Sequence, residues 1–179
     1  MSDVTPLKKS TMVVKARTKP TVEASYTRQQ AAIGANIKPN NPLLTENAPK
    51  IGPHDIISHK NPGVQEGVYR KLRLGKYPIE ARLDLHRHTI KQAADVTYQF
   101  INEAIELGYR TVIIIHGKGD RAAEPGKLKS FVVNWLAQLG VVLAYHSTQP
   151  RHGGAGSLYV LLKKSEQQKE DTRDKHLGH

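Results

Sequence analysis

The chain has 179 residues, room for one ordinary domain with a tail. Its 27 Lys and Arg against 16 Asp and Glu give a formal charge of +11, with a pI near 9.8 and a mean hydropathy of −0.51. Low hydropathy leaves part of such a chain unfolded, and the basic excess draws it to polyanions, nucleic acid before anionic membrane. With no cysteine, disulfides, thiolate metal sites and a Cys nucleophile are excluded together.

No apolar run approaches the ~20 residues of a membrane span. Met12, Val13 and Val14, flanked by lysines, are too short for a signal core. A soluble, reducing, cytoplasmic setting is the default expectation, with no membrane partner. Residues 1–50 hold eight Lys or Arg against three acids, with five prolines and no sustained periodicity beyond a short helical stretch near 26–35. They read as a flexible basic arm. Residues 51–80 read as a basic helical extension packing on the domain edge. Val64, Val68 and Leu72 recur at helical spacing within 62–74, and Arg70, Lys71, Arg73 and Lys76 form a basic cluster suited to phosphates.

From residue 81 the patterns sharpen. Residues 82–86 (RLDLH) alternate as a strand. Thr89 with Gln92 forms a capping-box pattern, opening a helix with an apolar face from Ile90 to Ile105 and a stop at Gly108. Residues 111–115 are β-branched and read as a strand buried on both faces. Pro125 opens a second helix with the stripe Leu128, Phe131, Val132, Trp135, Leu136 and Leu139. Residues 141–145 and 157–163 make two more strands. The order β-α-β-α-β-β predicts a mixed α/β (α+β sandwich) domain over 81–164: four strands and two helices, the first three strands parallel and the last antiparallel. Residues 165–179, with four acids and three bases, read as a polar disordered tail.

Three polar clusters fall where strands end or begin. Asp84 and His86, two apart on a strand, project to one face. His116-Gly117-Lys118-Gly119 follows the apolar strand, its glycines allowing close backbone approach and its lysine offering charge to a phosphate. Arg151 and His152 precede Gly153, Gly154 and Gly156 at the entry to the last strand. Ligand crevices of open α/β sheets lie beyond the carboxyl ends of parallel strands, so Asp84, His86 and His116 are expected to converge there as catalytic residues. Asp84 has a second reading, a buried carboxylate holding the strand end, and a Gly-rich turn has a second reading as a turn. Imidazoles that titrate near neutrality suit phosphodiester cleavage. On RNA the 2′-hydroxyl is an internal nucleophile, so no cofactor is required; on DNA water must be activated, and a divalent metal such as Mg or Mn becomes an option.

The LDLH strand at 83–86, the HGKG turn at 116–119 and the Gly-rich ending at 153–162, in that order and spacing, resemble the Smr (small MutS-related) domain over 81–164. The stretch 62–81 resembles the region ahead of the domain in stand-alone bacterial Smr proteins of the SmrA type. The resemblance implies a fold like the C-terminal domain of translation initiation factor three. It also implies nucleic-acid binding, with nicking of DNA or cleavage of RNA. Where the family has glycine after LDLH this chain has Arg87, followed by His88; both are expected to contact phosphate. Two functions follow: an endonuclease, or a non-catalytic nucleic-acid or ribosome-binding adaptor in which the same groups only grip the backbone.

Overall fold

The structure, a computed structural model, describes residues 41–177. In chain order its elements are β1 (Ser58–Lys60), α1 (Glu66–Arg73), β2 (Ala81–Asp84), α2 (Ile90–Glu106), β3 (Thr111–Ile115), α3 (Lys127–Gln138), β4 (Val142–Ser147), β5 (Ser157–Leu162) and α4 (Glu166–Leu177). The strands form one sheet in the order β1-β4-β5-β3-β2. β2 and β3 pair in parallel, and β5 runs antiparallel to both of its neighbours, β3 and β4. β2, β3 and β4 therefore share one direction, with the last strand inserted against it. The mixed α/β class is as expected, but the sheet has five strands where four were expected. β1, from the extension, adds the fifth by pairing antiparallel with β4. Its sequence SHK carries no hydrophobic alternation and owes its strand form to that partner.

Both faces of the sheet are covered. Leu83, Val112, Ile114, Leu158, Val160 and Leu162 face α2 and α3, which bury Phe100, Ile101, Val132, Trp135 and Leu136 against them. Thr89 opens α2 with the expected capping box: its Oγ1 accepts the Gln92 N–H at 3.3 Å and its own N–H donates to Gln92 Oε1 at 3.0 Å. On the other face Ile113, Ala144, Tyr159 and Leu161 lie under Leu72, Val64 and Val68. The extension thus closes the second face of the sheet instead of packing at its edge. The physical reason is β5, all six residues of which are buried. Each large apolar side chain left uncovered there costs about 1.5–3 kcal/mol.

The arm boundary shifts as well. Residues 1–40, with the helical stretch near 26–35, lie outside the described residues, whereas residues 41–57 form a strap along α3. Leu43 is buried, Trp135 Nε1 donates to Leu44 O at 2.7 Å and Ile51 N donates to Ser130 Oγ at 2.9 Å. Lys129, 1% exposed, donates to the carbonyls of Gly52 at 3.1 Å, Pro53 at 3.3 Å and Asp55. Residues 41–50 are therefore a packed part of the domain, because an indole and an ammonium need their carbonyls. The tail expected to be disordered carries α4. Ser165 and Gln168 cap it reciprocally, Gln168 N donating to Ser165 Oγ at 3.3 Å and Ser165 N to Gln168 Oε1 at 3.2 Å, and Gln168 Nε2 reaches Gly108 O at 2.5 Å.

Candidate functional site

All three motifs meet at one edge of the sheet. β2 and β3 end side by side in register, Asp84 opposite Ile115, and Leu85 N extends the ladder to Ile115 O at 2.8 Å. β5 begins beside them, Ser157 opposite Ile115, and Gly156 O accepts the N–H groups of His116 at 3.1 Å and Gly117 at 2.9 Å.

Asp84 and His86 are in contact, by a different route from the one expected. β2 ends at Asp84, so the pleat does not align the two. Instead Asp84 Oδ1 accepts the His86 backbone N–H at 2.9 Å and the ring Nδ1–H at 2.6 Å, an Asx turn that terminates the strand. Both side chains are more than half exposed, 58% and 56%, so Asp84 is not buried, although it does hold the strand end by accepting a backbone N–H. The turn holds the imidazole with Nδ1 protonated and leaves Nε2 as a lone-pair base. Its ring lies on Gly117: a Cβ there would sit 2.8 Å from His86 Nε2, and φ of +73° makes glycine doubly suited. Arg87 itself holds φ 64°, a left-handed conformation a glycine would take without strain.

His116 is placed next to this pair but in another state. Its ring is 4% exposed, Nδ1–H donates to Gly117 O at 2.6 Å and Nε2 is buried without a hydrogen-bond partner. Burial first, then the nearby Lys129 and His86 charges, push its pKa down to about 4 against the pull of the Gly117 carbonyl. A neutral imidazole that donates from Nδ1 has no proton on Nε2, so His116 is not placed to act as an acid. His88 is half-buried in the same turn, its Nδ1 bonded to His86 O at 3.1 Å.

The two glycine motifs differ in what they leave available. Lys118 and Gly119 N–H groups donate to no acceptor among the described residues. In the other loop the N–H groups of Gly153, Gly154 and Gly156 bond to Pro150 O, Gln149 O and Gly153 O. Gly153 at φ +110° packs on Ser157 and Gly156 on Gly117, so this loop braces the site and offers no amide from these three glycines to a phosphate. Beside the dyad, on the α2–α3 side, opens a cleft of about 600 Å³ lined by His86, Arg87, Ile90, His116, residues 117–119, residues 122–124 and residues 126–129.

On the opposite face, Arg70, Lys71, Arg73 and Lys76 are exposed at the end of α1. Arg151 ties them to the site by donating to Gly75 O at 3.3 Å, and Gln149 Nε2 donates to Arg73 O at 2.9 Å. His152 bonds Tyr159 OH at 2.5 Å; burial, then Arg151 and Arg82, hold its pKa below the usual histidine value. Arg82 was missed as a site residue, although alternation with buried Ala81 and Leu83 sets it on the same face as Asp84. Lys129 was missed as well; nothing in its neighbours marks a buried lysine. Among the described residues no three His, Cys, Asp or Glu side chains group closely enough to hold a metal ion. No helix among them is long and apolar enough to cross a membrane.

Comparison with known proteins agrees with the motifs. The Smr domain profile matches residues 83–163. The chain is 36% identical over 183 residues to the "Probable DNA endonuclease SmrA" of Escherichia coli K12, covering 98% of this chain and 91% of that protein. It is 31% identical over 115 residues to the "Ribosome rescue factor SmrB" of Yersinia enterocolitica, covering 64% and 62% respectively. Among solved structures, YdaL, a stand-alone small MutS-related protein from Escherichia coli, superposes with a TM-score of 0.63 at 37% identity, over 70% of this chain and 96% of that one. The profile match over residues 83–163 and the 36% identity across 98% of the chain show that this chain belongs to the Smr family.

Proposed function

We propose that the protein is an endonuclease that cleaves a phosphodiester bond at the Asp84–His86 dyad. The observation that carries this reading is the 2.6 Å contact between exposed Asp84 Oδ1 and His86 Nδ1 at the sheet edge where all three motifs meet. Asp84 sets the tautomer and steadies the imidazolium that forms, while His86 Nε2 takes a proton. On RNA that proton comes from the 2′-hydroxyl. Its oxygen attacks the adjacent phosphorus, the bond to the 5′-oxygen breaks, and a 2′,3′-cyclic phosphate and a 5′-hydroxyl result. His88, held in the same turn, supplies the proton to the departing oxygen from its imidazolium form, in which Nδ1–H is donated to His86 O and Nε2–H is left to give. The Lys118 ammonium and the unused Lys118 and Gly119 N–H groups meet the charge that gathers on the phosphoryl oxygens. Arg70, Lys71, Arg73, Lys76, Arg82 and Arg151 hold the neighbouring phosphates on the α1 face.

The name of the SmrA relative, a probable DNA endonuclease, supports a nuclease, and that of the SmrB relative, a ribosome rescue factor, supports action near ribosomes. The test is cleavage of structured RNA and nicking of supercoiled DNA by purified protein, each with and without EDTA. Asp84→Ala and His86→Ala are expected to lower the cleavage rate at least ~100-fold, the usual worth of a general base, while retaining binding. Unchanged cleavage in both variants would leave the non-catalytic adaptor as the function.

A further inference from the structure

The cleft beside the dyad differs in character from the face that grips phosphates. Part of its wall is aliphatic: Ile90 from the start of α2, Ala122 and Ala123 from the loop after the HGKG turn, and Leu128 from the first turn of α3. His86, Arg87, Lys118, Glu124, Lys127 and Lys129 line it as well, so it opens where the scissile phosphate lies. The loop is narrow at its base, with Gly119 and Gly126 in van der Waals contact (a Cβ on Gly119 would sit 3.3 Å from Gly126 N) and Ala122 N bonded to Gly119 O at 3.0 Å. His54 and Asp120, 3.1 Å apart, join that base to the strap. The one buried ring of the lining, His116, is uncharged at neutral pH, and its Nε2 is buried without a protein partner.

A phosphate is poorly served by the aliphatic part of this wall. The face of a flat heterocycle is well served by it. We propose that this cleft is a nucleobase subsite, holding one unpaired base next to the scissile phosphate against Ile90, Ala122, Ala123 and Leu128. The proposal rests on the nuclease reading for the position of that phosphate. The consequence is a substrate class. Bases of a duplex are stacked inside the helix and reach a cleft only by leaving it. The protein therefore acts on single-stranded or locally unpaired nucleic acid, with the basic α1 face holding the backbone on one side of the dyad and the cleft holding a base on the other.

The test is equilibrium binding of the full chain, in EDTA, to a fluorescent single-stranded oligonucleotide with 2′-O-methyl sugars, which lack the attacking hydroxyl. A single abasic site is walked along it. One position is expected to lose about tenfold in affinity, the size of one buried base contact, while the others change little. In Ala122→Leu/Ala123→Leu, which fills the cleft without adding charge or a π-face, the intact strand should bind as weakly as that abasic strand. The abasic substitution should then cost nothing further. A duplex of the same sequence should bind wild type and variant alike. Both alanines are exposed, and a thermal melt confirms that the variant folds. A flat abasic scan, or a variant that weakens duplex and single strand equally, would overturn the subsite. The ligand is uncleavable, so failure of the nuclease reading leaves this measurement unaffected and the two ideas fall separately.

Discussion

Arg87 holds φ 64° in the turn that carries His86, and an L side chain there costs about 1–2 kcal/mol. Neighbouring geometry sustains it: Asp84 accepts the His86 N–H on one side and Leu85 O accepts His88 N–H at 3.2 Å on the other. The strained residue is a cation lining the cleft next to the dyad. Strain retained at such a place is consistent with a phosphate contact. Arg87→Gly separates the two roles. Relief of the left-handed strain is offset by the larger entropy of an unfolded glycine, roughly 0.5–1 kcal/mol. The net gain should lie between zero and about 1.5 kcal/mol, a melting temperature raised by no more than ~6 °C. Nucleic-acid affinity should fall, with a shallower salt dependence, because one phosphate contact is gone. A variant that binds as tightly as wild type would show the arginine to be a bystander.

At the scale of elements the strap over 41–57 is the feature most easily mistaken for solvated chain. Proline, Asn and few apolar residues give it no period, yet Leu43, the Leu44 carbonyl and the 52–55 carbonyls complete the surface of α3. A chain starting at residue 51 should melt at least about 5 °C below one starting at residue 41. It loses the burial of Leu43, about 1.5–3 kcal/mol, and the Trp135 hydrogen bond, about 1 kcal/mol. Equal melting temperatures would show the contacts to be incidental. What was legible beforehand follows from where the information lay. Thr89–Gln92, the α3 stripe and the Asp84, His86 and His116 motifs are local in sequence, and the sheet edge brings them together as expected. Three features were not legible because their partners are remote. β1 becomes a strand only against β4, Lys129 is satisfied by carbonyls 74–77 residues earlier, and the second face of β5 shows its need for a cover only once β5 is central. The Asp84–His86 pair lies between these cases: the residues were evident, but an Asx turn joins them and not the pleat.

For the molecule as a whole, one edge of one sheet carries the dyad, the cleft and the end of the basic face, so the stability of that edge bears on every function proposed for it. His116 is its most sensitive point to pH. The ring is neutral in the folded state with a pKa of about 4, against about 6.5 when the chain is unfolded. Between those values the unfolded chain binds the proton and the folded one does not, so stability falls as pH drops from about 6.5 and the loss is complete below about 4. A shift of that size corresponds to roughly 3 kcal/mol, a large share of the 5–15 kcal/mol of a domain. His152, also held below its usual pKa, adds loss of the same sign. Urea denaturation at pH 7, 6, 5 and 4 should therefore show a steep decline for the wild type. In His116→Asn, which has nothing to titrate at that position, the protein should start less stable at pH 7 and decline by about 3 kcal/mol less. Parallel profiles for the two proteins would mean that the acid sensitivity arises elsewhere and that His116 titrates at the same pH in the folded and unfolded chain. In that event part of the His116 population carries a proton on Nε2 near neutral pH, and His116 returns as the acid for the leaving oxygen in place of His88.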